Sequence, residues 1–282
     1  MIRYKIYHRT YYAFTDRVTL GQHALLLRPR ESHELRIESS LLNIFPSATL
    51  LWHRDIEDNS VAIASFNAPS IDLLIESEVI LQQYNDSNIE FFVSDYAKSF
   101  PFKYTLEDNV ALQPYKRTMD STEVSQLQDW VGRIWSGETI ETYDLLLRLC
   151  ESIRSSFSYN LRFEPGVQSV AETLRIGSGT CRDFSLFFME VARSLGFAAR
   201  FVSGYLYTVQ YPATKGATHA WAEIYLPGAG WMGFDPTNGD IVGAYHFAVA
   251  VARLPEMIPP VSGSFVGMTG TSLDAGVWVT AL

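Results

Sequence analysis

The chain holds two cysteines, and one of them, Cys181, stands between a glycine-rich loop and an apolar run in "RIGSGTCRDFSLFFMEVARSLG", residues 175 to 196. Phe184, Phe187, Phe188, Val191 and Leu195 recur at i, i+3, i+4, i+7 and i+11, which predicts a helix that begins near Cys181 and ends at Gly196. A cysteine in the first turn of a helix meets unpaired N–H groups and the positive end of the helix dipole, and both stabilise a thiolate. Arg182 adds positive charge beside it. Position alone fits a capping or packing cysteine equally well. A nucleophilic thiol also needs an imidazole within hydrogen-bond reach and a third group that orients the ring.

Both are available downstream. "THAWAEIYLPGAGWMGFDPTN" reads as two strands joined by a hairpin at "LPGAG", with His219 heading the first strand and Asp235 on the return. His219, Trp221, Glu223 and Tyr225 then share one face and Ala220, Ala222, Ile224 and Leu226 the other, so His219 lies on the more polar face. A loop of odd length centred on Pro227 puts Asp235 directly opposite His219; centred on Gly228, it makes them diagonal neighbours about 7 Å apart at Cβ. An even loop breaks the pairing unless a bulge restores it. Either residue alone reads as a strand-end histidine or a turn-forming aspartate. Together, in the order Cys, His, Asp, they form a set that thiol acyl transfer can use, and Cys181, His219 and Asp235 are the candidate catalytic residues. Trp221 and Trp231 fit packing between sheet and helix better than the walls of a substrate groove. A metal site drawn from Cys181, His219, Asp235 or His246 is a weak alternative, because the ligands lack recognisable spacing.

The elements that must hold these residues divide the chain in two, as its length of 282 residues suggests. Residues 1–112 contain the β-rich runs "YKIYHRTYYAF", "HELRIESSLLNIF", "TLLWHRDI", "SVAIASFNA" and "IDLLIESEVILQQ", with a hairpin turn at "EDNS"; they predict an antiparallel, sandwich-like β domain. His8, His23, His33 and His53 are scattered there without ligand partners and read as surface or satisfied histidines. Helical patterning follows Pro101 and Pro114, and residues 113–282 are assigned to the second domain with its tail. "DSTEVSQLQDWVGRIWSG" predicts a helix of about four turns with Asp120 as N-cap, Glu123 completing a capping box and Gly137 as the stop. "TIETYDLLLRLCESIRSSFSYN" places Ile140, Tyr143, Leu147, Cys150, Ile153 and Phe157 on one stripe, which makes Cys150 an inert core thiol.

Apolar residues at 47% and charged ones at 19% describe a folded globular chain. A net charge of -9 argues against binding to nucleic acid or to anionic membrane, which require clustered Lys and Arg. No stretch has the apolar length of a signal peptide core or a spanning helix, so a cytoplasmic location is expected. Two cysteines are too few for a disulfide framework, and no cofactor-binding motif stands out.

The blocks "GSGTCRDFS", "ARFVSGYL", "THAWAEIYLPGAGW" and "GFDPTN" resemble, in order, those of the transglutaminase-like superfamily, and "YKIYHRTYYAF" and "LLLRPRE" resemble the N-terminal domain of its bacterial members. The resemblance implies an α+β fold in which a papain-like core packs the Cys181 helix on an antiparallel sheet carrying His219 and Asp235. It implies Cys181 as nucleophile, His219 as base and Asp235 as orienter, acting on a polypeptide or peptide-like amide through a thioester. Water as acceptor gives a cysteine peptidase or amidase, and a lysine-like amine gives a transglutaminase; a peptide-binding module without turnover is a third reading. The tail "FAVAVARLPEMIPPVSGSFVG" departs from the glycine-arginine-aspartate-tyrosine block of related proteins, and no acidic loop resembles the calcium sites of animal transglutaminases, so no metal is expected.

Overall fold

Alternating burial at Tyr4, Ile6, His8 and Thr10 makes the first strand, β1 (Ile2–Leu25), a two-faced ribbon, as a period-two pattern requires. The computed structural model describes residues 1–84, 91–118, 124–162, 164–208 and 215–282. Four more strands follow, β2 (Leu35–Phe45), β3 (Ala48–Arg54), β4 (Ser60–Phe66) and β5 (Ser70–Gln83), in the order β2-β5-β1-β4-β3. β5 pairs with the first half of β1 and β4 with its far end, at His23–Leu25, so one long strand serves two layers. Phe14, Val18, Leu20 and Leu25 of β1 pack with Leu73 and Ile75 of β5 and Ala62 and Ala64 of β4 between those layers. This is the sandwich-like domain expected from the sequence, with β1 running well beyond its predicted segment.

Short elements lead into the core: β6 (Ser99–Phe100), α1 (Leu106–Ala111), α2 (Val124–Val131), β7 (Ile140–Glu141), α3 (Thr142–Ser156), β8 (Ser158–Tyr159), α4 (Val170–Ile176) and β9 (Ser178–Gly179). Then come α5 (Cys181–Ser194), β10 (Ala199–Leu206), β11 (His219–Leu226), β12 (Gly230–Asp235), β13 (Asp240–Ile241) and β14 (His246–Ala252). The last five strands form one antiparallel sheet in the order β13-β12-β11-β10-β14. α5 lies against β11 and β10, and Phe184, Phe187 and Phe188 share a core with Ala220, Ala222 and Ile224. The fold is α+β and mostly antiparallel.

Two helix readings need correction. α2 ends at Val131, short of the four turns expected, because Gly132 and the tight turn bonds Arg133 N–H to Trp130 O and Ile134 N–H to Val131 O wind the chain off the helix. The expected capping residues Asp120 and Glu123 lie outside the described residues. In α3 the buried stripe is Thr142, Leu145, Leu146, Leu149, Cys150 and Ile153, and Leu147 sits at its margin. α5 is buried on nearly every side; only Arg182 and Ser194 escape full burial.

The tail, assigned by sequence to the core, returns to the N-terminal domain. Its strands β15 (Val261–Val266) and β16 (Thr271–Ala281) both pair with β1, β16 from Tyr4 to Phe14. The turn at "EDNS" reaches the other way: Asp58 takes a left-handed φ of 60°, and fully buried Asn59 exchanges two hydrogen bonds of 2.8 Å with the backbone of Val251 on β14. No helix among the described residues is long and apolar enough to cross a membrane.

The C-terminal half of α5 is clamped by Arg193, which pairs with Glu190 at 2.7 Å and donates to the carbonyls of Tyr115, Ala199 and Arg253. Replacing one member of such a buried pair costs about 3–5 kcal/mol. Arg193→Leu is therefore expected to lower the unfolding free energy by about that amount in urea titrations.

Candidate active site

Cys181 is the first residue of α5, and its surroundings are built by the residues just before and after it. Asp183, with no solvent exposure, accepts hydrogen bonds of 2.8 Å from both the N–H and the hydroxyl of Thr180, so it reaches back to cap its own helix. Arg162 grips both oxygens of Asp183 at 3.0 and 2.7 Å, and Gln168 N–H donates at 2.8 Å. Burial opposes the charge on Asp183, but these donors outweigh it and hold the carboxyl below its usual range. The glycines of the loop serve this arrangement. Gly177 closes α4 at a φ of 72°, and a Cβ on Gly179 would stand 2.9 Å from the Cβ of Asp183.

β8 pairs in parallel with β9, placing Tyr159 opposite Gly179, two residues before Cys181. The Tyr159 phenol interacts with the Cys181 sulfur, while the residue keeps 45% of its surface exposed. Partial burial and the neighbouring sulfur push this phenol up to about 12, so it carries its proton throughout the ordinary pH range.

Across the sheet, Leu226 pairs with Gly230, which makes a three-residue loop centred on Gly228. His219 and Asp235 are therefore diagonal neighbours, and His219 Nε2 stands 2.7 Å from Asp235 Oδ2. With Nε2 committed to Asp235, the other ring nitrogen is left for Cys181, whose sulfur interacts with the ring. Asp235 is fully buried; its Oδ2 also accepts from Asn238 Nδ2 at 2.6 Å and from His246 Nε2 at 3.1 Å, and its Oδ1 from Thr237 N–H at 2.9 Å. Burial disfavours charge on both partners. The hydrogen bonds and mutual attraction prevail, holding Asp235 well below the carboxylate range and raising His219 to about 10.

One ligand atom each from His219, His246 and Asp235 lies within 4.8 Å of the others, a spacing that metal ligands also show. Each nitrogen here is aimed at the carboxylate within hydrogen-bond distance, so the arrangement is a hydrogen-bonded cluster. Cys150 sits in the core with its thiol directed to Asp240 O at 3.7 Å, and burial pushes that thiol far up. Trp221 is buried against Val202 and Val251, and Trp231 packs with Arg200 over its ring at 4.3 Å.

Residues 128–236 match the model of the transglutaminase-like superfamily, and residues 4–82 that of the bacterial transglutaminase-like N-terminal region. The chain belongs to the transglutaminase-like superfamily. This transglutaminase-like chain is similar to an uncharacterized protein of Mycobacterium leprae, 25% identical with all of both chains covered. It is 28% identical to one of Mycobacterium tuberculosis over 93% of this chain and 87% of the relative. Its fold is that of a solved candidate cysteine protease from Cytophaga hutchinsonii, with a TM-score of 0.77, 16% identity, and 100% and 91% of the two chains covered.

The structure thus brings Cys181, His219 and Asp235 of the transglutaminase-like core together. Sequence reasoning missed Tyr159, Arg162 and Asp183, and it met His246 only as a metal ligand. Asp183 left a signal, since an acidic residue three places after a threonine at a helix start is the capping pattern.

The pH dependence of stability follows from His219. An imidazole in the unfolded chain loses its proton near 6.5 and His219 keeps it to about 10, so the folded state binds the extra proton between those values. This contribution is complete below pH 6.5 and is lost as pH rises through about 10. The unfolding midpoint is expected to fall over that range, and to fall less in His219→Gln.

Proposed function

We propose that this chain is a thiol acyl-transfer enzyme that hydrolyses a peptide or side-chain amide through a thioester on Cys181. The observation that carries the reading is that His219, held at 2.7 Å by buried Asp235, also interacts through its ring with the Cys181 sulfur at the head of α5. In this mechanism the Cys181 thiolate attacks the amide carbonyl carbon, and the carbonyl oxygen takes the electron pair. His219, charged and held by Asp235, gives its proton to the departing amine as the C–N bond breaks. His219 then takes a proton from water, whose hydroxide attacks the thioester; the carboxylic acid leaves and the thiolate is restored.

The oxyanion needs donors. The N–H of Cys181, the first residue of α5, has no helical acceptor four residues back and is the first donor in this mechanism. The Tyr159 hydroxyl, still protonated and already beside the sulfur, is the second donor in this mechanism. Hydrolysis is preferred to transfer because water needs no acceptor site of its own.

The decisive experiment presents peptides and glutamine-containing proteins, with and without a labelled primary amine, to the protein and to Cys181→Ala. Cys181-dependent fragments or ammonia without label support the hydrolase; Cys181-dependent label overturns it in favour of a transglutaminase. No turnover, with Cys181 inert to alkylation near neutral pH, points to a binding module. Tyr159→Phe is expected to lower kcat about 10²- to 10³-fold, the usual cost of one oxyanion donor, with KM little changed.

A further inference from the structure

His246 heads β14 and lies outside the three residues that the reaction uses. Its ring is fixed on every side. Gly243 N–H donates to Nδ1 at 3.3 Å while His246 N–H donates back to Gly243 O at 3.0 Å, so the turn before β14 locks the ring to its own backbone. An Nδ1 that accepts leaves the proton on Nε2, and Nε2 faces Asp235 Oδ2 at 3.1 Å. Trp221 packs edge-to-face against the ring at 5.3 Å, and the His219 ring lies 6.0 Å away. Two imidazoles therefore share one carboxylate oxygen, one of them facing the thiol.

The geometry points to His246 as a positioning residue: its Nε2–H holds Asp235 so that Oδ2 faces His219, and thereby sets the ring that serves Cys181. This rests on the reading of Cys181, His219 and Asp235 as the reacting set. Asp235 closes β12 and runs straight into the turn at Thr237–Gly239, whose N–H groups hold Oδ1 and the main-chain carbonyl. The other oxygen is directed by side chains alone: Asn238 from the same turn, His219 from β11 and His246 from β14. Asn238 is exposed and belongs to the same turn as Asp235, so His246 is the donor that ties the carboxylate to a separate strand on the far side of β10. Without it Oδ2 can follow the turn away from His219.

The test compares His246→Asn with His246→Gln. Asn places its amide where Nδ1 was, short of Asp235, whereas Gln reaches the position of Nε2 and restores the donor at similar volume. Two readouts follow each variant: the downfield proton resonance of the His219 Nε2–H, and the rate of Cys181 alkylation by iodoacetamide as a function of pH. In His246→Asn the resonance is expected to move upfield or vanish, and alkylation at pH 6–7 to fall about 10- to 100-fold, with both restored in His246→Gln. A wild-type resonance and profile in His246→Asn would overturn the inference, and so would failure of Gln to restore them in a variant that unfolds as wild type does. The two readings separate cleanly. If wild-type Cys181 alkylates no faster than a free thiol, the proposed function fails, and the resonance in the two variants still decides the role of His246.

Discussion

A carboxylate with no solvent exposure must be stabilised entirely by the groups around it, and Asp235 sets that demand for the whole site. Its donors come from its own turn and from two other strands, so the sheet must be assembled before the charge can be accommodated. In return the charge fixes one nitrogen of His219 and raises its affinity for a proton. A histidine that keeps its proton is a poor base for a neutral thiol and a good partner for a thiolate. With its proton in place, His219 suits the part of the acid in the proposed reaction.

The thiol side meets the complementary demand through α5. Asp183 and Arg162 fix the start of the helix, and Glu190 and Arg193 fix its last turns, so Cys181 cannot shift along the sheet to relieve a poor contact. The histidine side is held from the other domain. Gly216 exchanges hydrogen bonds of 2.8 and 3.0 Å with Val277 of β16, and Lys215 pairs with Asp274, three and four residues before His219. Asn59 closes the β14 edge in the same way. The N-terminal domain thus supports the strands that carry His219 and His246, and the tail is the connection that makes this possible.

Much of this was legible where a local rule governs. The start of α5 followed from a periodic apolar stripe ending at Gly196, and the relation of His219 to Asp235 followed from side-chain alternation plus the parity of the hairpin loop, with one of the two odd-loop registers realised. The alternating runs of the N-terminal domain were equally plain. What stayed hidden depends on contacts between distant segments. Nothing local in "TSLDAGVWVTA" says that it will pair with residues 4–14, and neither "EDNS" nor "FSYN" announces the strand or sulfur it meets. Of the glycines before Cys181, Gly179 is required by its close approach to Asp183 and Gly177 by the left-handed turn that closes α4. α2 ends before Gly137 because the weak helix former Gly132 and the tight turn around it stop the helix at Val131.

The central claim is that Cys181 is a nucleophile driven by His219 and Asp235. Brief exposure to p-nitrophenyl acetate, acid quench and peptide mass mapping would test it directly, because an activated ester needs no knowledge of the natural substrate. The account predicts one acetyl group on the peptide containing Cys181 in the wild-type protein, and strongly reduced acetylation in His219→Gln and Asp235→Asn. Acetylation spread over other side chains, or a Cys181 adduct of equal yield in all three proteins, would contradict it.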